Sequence, residues 1–373
     1  MTAKIPLIDV QAQNGPLQEE LLQALKKVLE SGAFVLGPEV KAFEDDFKSY
    51  TKAPFAVGCA SGSDALLLPL MAADVGPGDE VLVPSFTFYA TAGAVARLGA
   101  TPVFVDSDET CNLSLADMEK KITPKTKAVI PVHLFGQMVD MEAVLKIARA
   151  KKLVVIEDCA QSIGAEFKGK QCGSWGDYGA FSFYPTKNLG AAGDAGLVSA
   201  IDSAKAELLT MLRVHGSKQR YYHELVGTNS RLDSLQAAIL RVKIRHLRAY
   251  EQGRERVAAE YTRLLNDAGL GDKLRLPVMG KDRKHVWNQY TVRATKRDAL
   301  RSFLADQGIG SEIYYPLAMH RQAAFQKFIS KPLALPVCEA LEKEVLSLPM
   351  YPELPNAQIE RVVEALREFY RKN

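Results

Sequence analysis

Short apolar runs alternate with helix-length segments along the chain as far as Ala200. Several of these runs are rich in valine and isoleucine, and each is too short for a helix, as expected of central strands buried on both faces. Helical segments separate many of the runs, and this alternation predicts an α/β fold with a mostly parallel sheet. The predicted strands are Phe55–Cys59, Val81–Val83, Pro102–Val105, Ala128–Val132, Leu153–Glu157, Gly179–Phe183 and Gly196–Ala200, and the clearest helices are Asp64–Ala73, Ala90–Leu98 and Met141–Ala150.

The pattern changes after Ala200. Ser230 stands three residues before an acidic residue, which indicates a helix N-cap, and apolar residues then recur at helical spacing towards Leu265. We predict a large α/β domain at 1–249, a smaller C-terminal α+β domain at 250–373, and packing of residues 1–35 on the small domain. The elements predicted in the small domain are strands Val286–Ala294 and Ile309–Tyr314 and helices Arg297–Gln307 and Ala357–Arg371.

The composition is that of a globular protein with a sizeable core, since 47% of the 373 residues are hydrophobic and 24% are charged. A net charge of +3, without a long basic run, does not favour nucleic acid or an anionic membrane as a partner. No segment resembles a signal peptide or reaches the roughly 18 apolar residues of a membrane helix, so we expect a cytoplasmic protein. Five widely spaced cysteines without a C-x-x-C pair predict neither a disulfide framework nor a zinc site.

Two residues beside predicted strands carry the most informative chemistry. Asp158 directly follows the strand at Leu153–Glu157, and Lys187 opens a glycine-rich loop after the strand at Gly179–Phe183. Taken alone, Asp158 is as typical of a helix cap as of a cofactor contact, and Lys187 is typical of a surface turn. Together they match pyridoxal 5′-phosphate (PLP) chemistry, which needs an amine for the aldehyde and a carboxylate that keeps the pyridine nitrogen protonated.

Further candidates lie after other strands, at the edge of the sheet where ligands bind in such folds. Gly62 and Ser63 open a helix whose N-terminus suits a phosphate, although serine is also an ordinary cap, and Ser182 offers another hydroxyl. Among the aromatic residues that follow the second strand, Phe88 is the candidate for stacking on a pyridine ring, whereas Phe86 is expected in the core.

Histidines provide candidates for substrate contact or for satisfied internal hydrogen bonds. His133 ends a predicted strand and is expected to point towards the crevice, while His215 and His320 lie in loops. None has metal-ligand spacing to another histidine, so we predict no metal. The segment from Arg220 to His223 has the character of a mobile polar loop.

Several motifs together resemble the DegT/StrS family of nucleotide-sugar aminotransferases, over nearly the whole chain. The most specific part is the pair Asp158 and Gln161 combined with the Ser-x-x-x-x-Lys-Asn-x-Gly loop around Lys187. The resemblance implies a type I PLP-dependent (aspartate aminotransferase-like) fold, with a mostly parallel seven-stranded sheet flanked by helices. The other matching segments are Ser31–Val40, Gly76–Val81, Tyr314–Pro316 and Leu346–Met350.

The resemblance also implies roles for individual residues in binding PLP. Lys187 would form the Schiff base and move the Cα proton, Asp158 would pair with the pyridinium nitrogen, and Gln161 would bind the phenolic oxygen. Phe88 would stack on the ring, at a position where tryptophan or tyrosine is common. The residues implied for the phosphate are Gly62, Ser63, Ser182 and, from the neighbouring subunit of a homodimer, Asn229.

Within the family, the segments around His215, Arg220 and Asn229 most resemble enzymes that aminate C3 of UDP-linked 3-keto-N-acetylglucosamine or its uronate, with L-glutamate as donor. Such sugars are used in surface glycans, lipopolysaccharide or lipid A-type synthesis. An enzyme that acts on dTDP-3-keto-6-deoxyhexoses is an open alternative. Two less favoured alternatives are a PLP-binding regulator and a PLP-dependent sugar dehydratase, an enzyme that typically has histidine in place of the lysine. The implied substrate contacts are Phe34, His133, His215, Arg220, Tyr222, His223, Tyr315 and His320.

Overall fold

The computed structural model describes residues 4–372, apart from the side chain of Asp272. The first three residues and Asn373, which the predicted domains include, lie outside the described residues. No helix in the described part of the chain is long and apolar enough to cross a membrane.

The strands and helices are numbered in chain order. The strands are β1 Phe55–Cys59, β2 Glu80–Pro84, β3 Thr101–Val105, β4 Thr126–Val129, β5 Val154–Asp158, β6 Glu166–Phe167, β7 Lys170–Gln171, β8 Tyr178–Ser182, β9 Gly196–Ala200, β10 Ser217–Gln219, β11 Tyr222–His223, β12 Leu274–Arg275, β13 Arg283–Lys284, β14 Tyr290–Ala294 and β15 Val345–Leu348. The α-helices are α1 Val10–Asn14, α2 Gln18–Ser31, α3 Pro38–Thr51, α4 Gly62–Ala72, α5 Tyr89–Arg97, α6 Leu115–Lys120, α7 Met141–Ala150, α8 Ser203–Leu212, α9 Ser234–Ile244, α10 Leu247–Asp267, α11 Arg297–Asp306, α12 Pro336–Glu344 and α13 Asn356–Lys372. Short 3-10 helices occupy Gly15–Leu17, Leu134–Gly136, Gly271–Lys273, Met319–Arg321 and Ala323–Phe328.

A seven-stranded sheet in the order β1-β9-β8-β5-β4-β2-β3 forms the centre of the fold. Its strand pairs are parallel except those of β9, which runs antiparallel to both β1 and β8. This confirms the predicted α/β class with a mostly parallel seven-stranded sheet. Because Gly196 at the start of β9 lies opposite both Cys59 and Ser182, the loops that follow β1 and β8 meet at one edge of the sheet.

Side chains that alternate along the strands pack into two separate apolar clusters. In β5, Val155 belongs to one cluster and Ile156 to the other, and in β8 the same division separates Phe181 from Ala180. Neighbouring strand residues point to opposite faces, and both faces are covered by helices. This double burial explains why the strands are nearly continuous apolar runs in the sequence.

The helix predicted from Ser230 begins later and is interrupted. Asp233 is the N-cap of α9, since its Oδ1 accepts a hydrogen bond from the N–H of Gln236 at 2.8 Å. Ser230 instead bonds Asp64 through its hydroxyl, and Asn229 pairs with Val214 in a β-bridge, which keeps this segment extended. The helical path also breaks after α9, and α10 starts at Leu247.

Two strand predictions in the C-terminal region are corrected. Only the second half of Val286–Ala294 is a strand, because the N–H groups of Val286 and Asn288 bond the carbonyls of Gly136 and Phe135 instead of a neighbouring strand. Ile309–Tyr314 forms only isolated bridges, and β15 takes the place beside β14 in a small antiparallel sheet.

The N-terminal segment divides between two clusters. Ile5 packs in the C-terminal cluster with residues of α10 and α13, whereas Leu17 packs in a cluster of the large sheet. The prediction that residues 1–35 pack on the small domain is therefore wrong for α2, whose Leu21 also contacts the large-sheet cluster. The domain division at 249 stays a prediction. Along α10 the packing changes from the large-sheet cluster at Tyr250 to the C-terminal cluster at Val257.

Candidate active site

A cavity of about 540 Å³ lies beyond the carboxyl ends of β5 and β8. The loops after β1, β2, β5 and β8 contribute to its wall, together with residues of the C-terminal half of the chain. The structure brings together here seven of the predicted cofactor residues and one predicted substrate contact: Gly62, Ser63, Phe88, Asp158, Gln161, Ser182, Lys187 and Tyr315.

One end of the cavity is built for a phosphate. Helix α4 begins at Gly62, and its cap Ser61 accepts a hydrogen bond from the N–H of Asp64 at 3.2 Å, which leaves the first N–H groups of the helix for a ligand. A Cβ atom at Gly62 would lie 2.5 Å from the Cβ of Ser182, so only glycine allows this close approach. The hydroxyl of Ser182 therefore lies beside the helix N-terminus.

Asp158 is a buried carboxylate with no ion pair to any residue within 4–372. Its Oδ2 accepts a hydrogen bond from the hydroxyl of Thr91 at 2.8 Å, and its Oδ1 accepts one from the N–H of Ala160 at 3.1 Å. Burial raises the pKa of Asp158, although these bonds and the positive charge of Lys187 oppose that shift. A buried carboxylate without a cationic partner is suited to pair with the protonated nitrogen of a pyridine ring.

Lys187 lies across the same cavity. Burial lowers the pKa of its amine to about 8, against the opposing effect of Asp158. A substantial fraction of the amine is therefore neutral near physiological pH, as required of a nucleophile or a base.

Gln161 has a side-chain orientation that the surrounding hydrogen bonds determine. Its Oε1 accepts from the N–H of Phe135 at 2.6 Å, so the amide nitrogen must face the cavity, where it donates to the hydroxyl of Tyr315 at 3.1 Å. The second N–H of this amide remains available for a ligand oxygen.

Aromatic residues form part of the cavity wall. The ring of Phe88 is 57% exposed and its centroid lies 6.1 Å from that of Tyr315, at a tilt of 41°. Phe88 thus offers a free face to a planar ligand.

These groups fit PLP on the evidence of their own chemistry. The helix N-terminus with Ser182 matches the phosphate, and the unpaired Asp158 matches the ring nitrogen. The free N–H of Gln161 matches the phenolic oxygen, and the amine of Lys187 matches the aldehyde.

Glu157 precedes Asp158 but is held in a closed set of hydrogen bonds on the other face of the sheet. Its Oε1 accepts from the N–H groups of Trp175 and Gly176 at 2.7 and 2.8 Å, and its Oε2 from that of Gly173 at 3.0 Å. His133 Nε2 lies 2.9 Å from the same Oε2. Glu157 therefore holds the turn before β8.

His133 belongs to this internal network and not to the cavity, contrary to its predicted direction. The side chain is fully buried, and its Nδ1 accepts from the N–H of Val139 at 3.2 Å, so Nε2 is the nitrogen that carries the proton donated to Glu157. Substrate contact is excluded in this arrangement, because both ring nitrogens are engaged within the protein.

Ligand atoms of His133, Glu157 and Cys159 lie within 4.8 Å of one another. Burial raises the pKa of the Cys159 thiol well above its usual range, which disfavours the thiolate that a metal would need. The hydrogen bonds of Glu157 and His133 account for this cluster as a structural network.

The remaining predicted substrate residues lie away from the cavity wall. His320 is buried in a neighbouring groove, where Ser85 Oγ approaches its Nδ1 at 2.7 Å. Phe34 is exposed beside the start of α9. The others lie on or beside the exposed β10–β11 hairpin, and they are His215, Arg220, Tyr222, His223 and, for the phosphate, Asn229.

Several residues of this region were not predicted from the sequence. Thr91 bonds Asp158 from α5, Ile8 reaches the cavity from the N-terminal segment, and Asn288 reaches it from the loop before β14. The position of Thr91 in the first turn of a helix after a strand offered a weak signal. Nothing in the local sequence pattern marks Ile8 or Asn288.

Comparisons with known proteins agree with this geometry. The model of the DegT/DnrJ/EryC1/StrS aminotransferase family matches residues 16–367. A protein of Geobacillus stearothermophilus named pleiotropic regulatory protein is 50% identical over 368 residues, which cover 98% of this chain and 99% of that protein. The UDP-N-acetyl-3-dehydro-alpha-D-glucosamine 3-aminotransferase of Acidithiobacillus ferrooxidans is 47% identical over 364 residues, 97% of each chain.

A solved structure of S. venezuelae DesV in complex with a ketimine intermediate is similar with a TM-score of 0.94 and 43% identity, over 99% of each chain. This similarity confirms the type I fold, and the family match confirms PLP as the cofactor. The chain belongs to the DegT/DnrJ/EryC1/StrS aminotransferase family.

Proposed function

We propose that this aminotransferase moves an amino group from L-glutamate to C3 of a 3-keto sugar linked to UDP, either 2-acetamido-2-deoxy-3-oxo-glucose or its uronate. The observation that carries the transfer chemistry is the convergence of Lys187 and Asp158 on one cavity. Support for the sugar comes from the Acidithiobacillus relative, whose name states this reaction, and from a Pseudomonas aeruginosa relative named for the uronate. The product would serve the synthesis of a surface glycan.

When bound, PLP supplies a conjugated ring that accepts electrons from the carbon next to the transferred nitrogen. Asp158 would keep a proton on the ring nitrogen, because the attraction between a carboxylate and a cation is stronger in a low-dielectric interior than in water. Thr91 and Ala160 hold that carboxylate in place through the two bonds described above.

Lys187 carries the proton in both directions. In the glutamate half-reaction, the neutral amine of Lys187 would accept the proton that leaves the Cα atom of the donor. One water is consumed as 2-oxoglutarate leaves. In the second half the keto oxygen of the sugar leaves as water, and Lys187 returns a proton to C3.

A second candidate is a transaminase of dTDP-linked 3-keto-6-deoxyhexoses. It is favoured by a relative from Streptomyces venezuelae named dTDP-3-amino-3,4,6-trideoxy-alpha-D-glucose transaminase. The two candidates differ in the nucleotide and at C6, and both use the same residues for the transfer.

We also propose that the enzyme is a homodimer with shared active sites. Exposed apolar and aromatic side chains occur at or next to the cavity, in the loop before α3, and on or beside the β10–β11 hairpin, which supports burial of these surfaces by a second copy. The members of this surface are Phe34, Val35, Phe88, Tyr89, Tyr184, Tyr221, Tyr222 and Val226. Sedimentation measurements are expected to show a dimer, and a monomer with full activity would contradict the proposal.

The reverse reaction tests the proposed substrate. Enzyme loaded with PLP is incubated with 2-oxoglutarate and a panel of UDP- and dTDP-linked 3-amino sugars, and the release of glutamate is measured. We expect release with UDP-2-acetamido-3-amino sugars, whereas a preference for dTDP sugars selects the second candidate. Release from none of the 3-amino sugars would contradict the assignment of C3. The Lys187→Ala variant serves as the control for background.

A further inference from the structure

Two asparagine side chains form a buried pair beside the catalytic lysine. Asn188 directly follows Lys187, and its Nδ2 donates to the carbonyl of Val286 at 2.9 Å. Asn288 Nδ2 donates to Asn188 Oδ1 at 3.0 Å. Both side chains are buried, and Asn288, which is 3% exposed, also lines the cavity.

The orientation of both amides follows from this chain of hydrogen bonds. A carbonyl can only accept, so the atom of Asn188 that faces Val286 is the nitrogen and the remaining atom is the oxygen. That oxygen in turn needs a donor, so Asn288 must turn its nitrogen towards it. The oxygen of Asn288 is therefore fixed as a hydrogen-bond acceptor.

This acceptor, Asn288 Oδ1, is buried and has no donor among the residues that the structure describes. Hydrogen bonds also hold the backbone on both sides of this side chain, so the segment cannot easily move the oxygen to another position. The N–H of Asn288 donates to the carbonyl of Phe135 at 2.9 Å, and the buried guanidinium of Arg254 donates to the carbonyls of Trp287 and Asn288. A buried acceptor held in this way is costly unless a ligand supplies an O–H or N–H.

We propose that Asn288 Oδ1 binds an O–H or N–H donor on the sugar ring of the substrate, and that Asn288 is therefore a substrate-binding residue of the sugar half-reaction. The proposal rests on the proposed function. A keto sugar carries hydroxyl groups beside the reacting carbon and, when acetamido-substituted, an amide N–H. L-glutamate fits this position poorly, because its carboxylates would face a fixed acceptor and its amine is needed at the cofactor.

The test separates the two half-reactions in single-turnover experiments on the PLP-loaded enzyme, followed by cofactor absorbance. For Asn288→Ala we expect the sugar half-reaction to fall about five-fold to ten-fold in its second-order rate constant, the effect of one neutral hydrogen bond. The glutamate half-reaction should stay within about two-fold of wild type, since glutamate makes no bond to Asn288 Oδ1 and the loss of the bond to Asn188 is measured separately by a control variant. Equal loss in both half-reactions would overturn the proposal, because it would show that Asn288 acts only by holding the Lys187 loop.

The matched control is Asn188→Ala. It breaks the same amide pair but keeps the side chain of Asn288, so any effect through Lys187 should appear in both half-reactions. If Asn288→Ala does not fold, as judged by its melting temperature, Asn288→Ser replaces it. A wild-type enzyme that aminates no nucleotide-linked keto sugar would instead refute the proposed function.

A binding measurement supplies a readout that is independent of turnover. Calorimetric titration of the PLP-loaded enzyme with UDP-N-acetylglucosamine and with UDP-glucose should show a Kd about five-fold higher in Asn288→Ala than in wild type. Loss of affinity for both sugars identifies a ring hydroxyl as the donor, and loss only for the acetamido sugar identifies its N–H. Unchanged affinity for both sugars would overturn the proposal.

Discussion

Glu157 and Asp158 are neighbouring carboxylates on one strand, and they have opposite surroundings. The side chain of Glu157 is fully buried among three backbone N–H groups and His133. Asp158 faces the cavity, where it accepts two hydrogen bonds and has no ion pair within the described chain. The strand turns them to opposite faces because successive side chains alternate.

The difference shows how a fold separates stability from chemistry within two residues. The bonds of Glu157 are complete, so it can hold the turn before β8 but has no capacity left for a ligand. Asp158 has no cationic partner within the described chain, and a cofactor with a protonated ring nitrogen would supply one. An incomplete set of partners around a buried charge is a sign of function.

The largest effect expected from this comparison is on activity in Asp158→Asn. The amide cannot stabilise a proton on the ring nitrogen, so transamination should fall by about a thousand-fold or more in kcat. The apoprotein should unfold at an equal or higher temperature than wild type. Burial raises the pKa of Asp158, so its ionised form costs stability above that pKa, and each pKa unit removed is worth about 1.4 kcal/mol.

Kinetics and thermal unfolding on the same preparation check this prediction. A variant that loses stability together with activity would show that Asp158 holds the structure in the same way as Glu157.

Glu157→Gln should show the reverse pattern. The amide nitrogen would face backbone N–H groups that now donate to a carboxylate, so the free energy of unfolding should fall by about 3 kcal/mol. The folded fraction should keep wild-type spectra with PLP and most of its kcat. Chemical denaturation measures the first quantity and steady-state kinetics at low temperature the second. Normal stability with lost activity would refute the division of roles.

The pH dependence of PLP uptake probes the other side of the cavity. Only the neutral amine reacts with an aldehyde, and the pKa of Lys187 is lowered to about 8. Uptake by the apoprotein should therefore rise about ten-fold per pH unit below the pKa and level off above it. Stopped-flow absorbance measures the rate. A plateau that begins only near the pKa of an ordinary lysine, about 10.4, would contradict the burial argument.

Thr91→Val gives the smallest expected effect. It removes the hydroxyl that donates to Asp158 Oδ2 but preserves the shape of the side chain, so the pKa of Asp158 should rise further and kcat should fall about five-fold to ten-fold. Thr87→Val is the matched control, since Thr87 lies 3.3 Å from the Thr91 hydroxyl but is not bonded to Asp158. Equal losses in the two variants would mean that packing, and not the bond to Asp158, is responsible.

The central sheet and the residues that directly follow its strands could be predicted from the sequence. Buried parallel strands must be short apolar runs, and residues at their carboxyl ends meet at one edge, so the position of Asp158 and Lys187 at one cavity could be predicted. The same rule misplaced His133, because the strand register that turns it towards Glu157 depends on long-range pairing. The late start of α9 at Ser234 depends likewise on the bridge between Val214 and Asn229.

The sequence thus determined the fold class through hydrophobic periodicity and the cofactor through motifs that resemble a known family, and it proposed Lys187 as the reacting lysine. Only the tertiary structure decided which carboxylate is free, which histidine is enclosed, and that Asn288 reaches the lysine loop from 100 residues away along the chain. Such contacts are set by the packing of distant segments, and that packing leaves no periodic signal in the sequence that surrounds either partner.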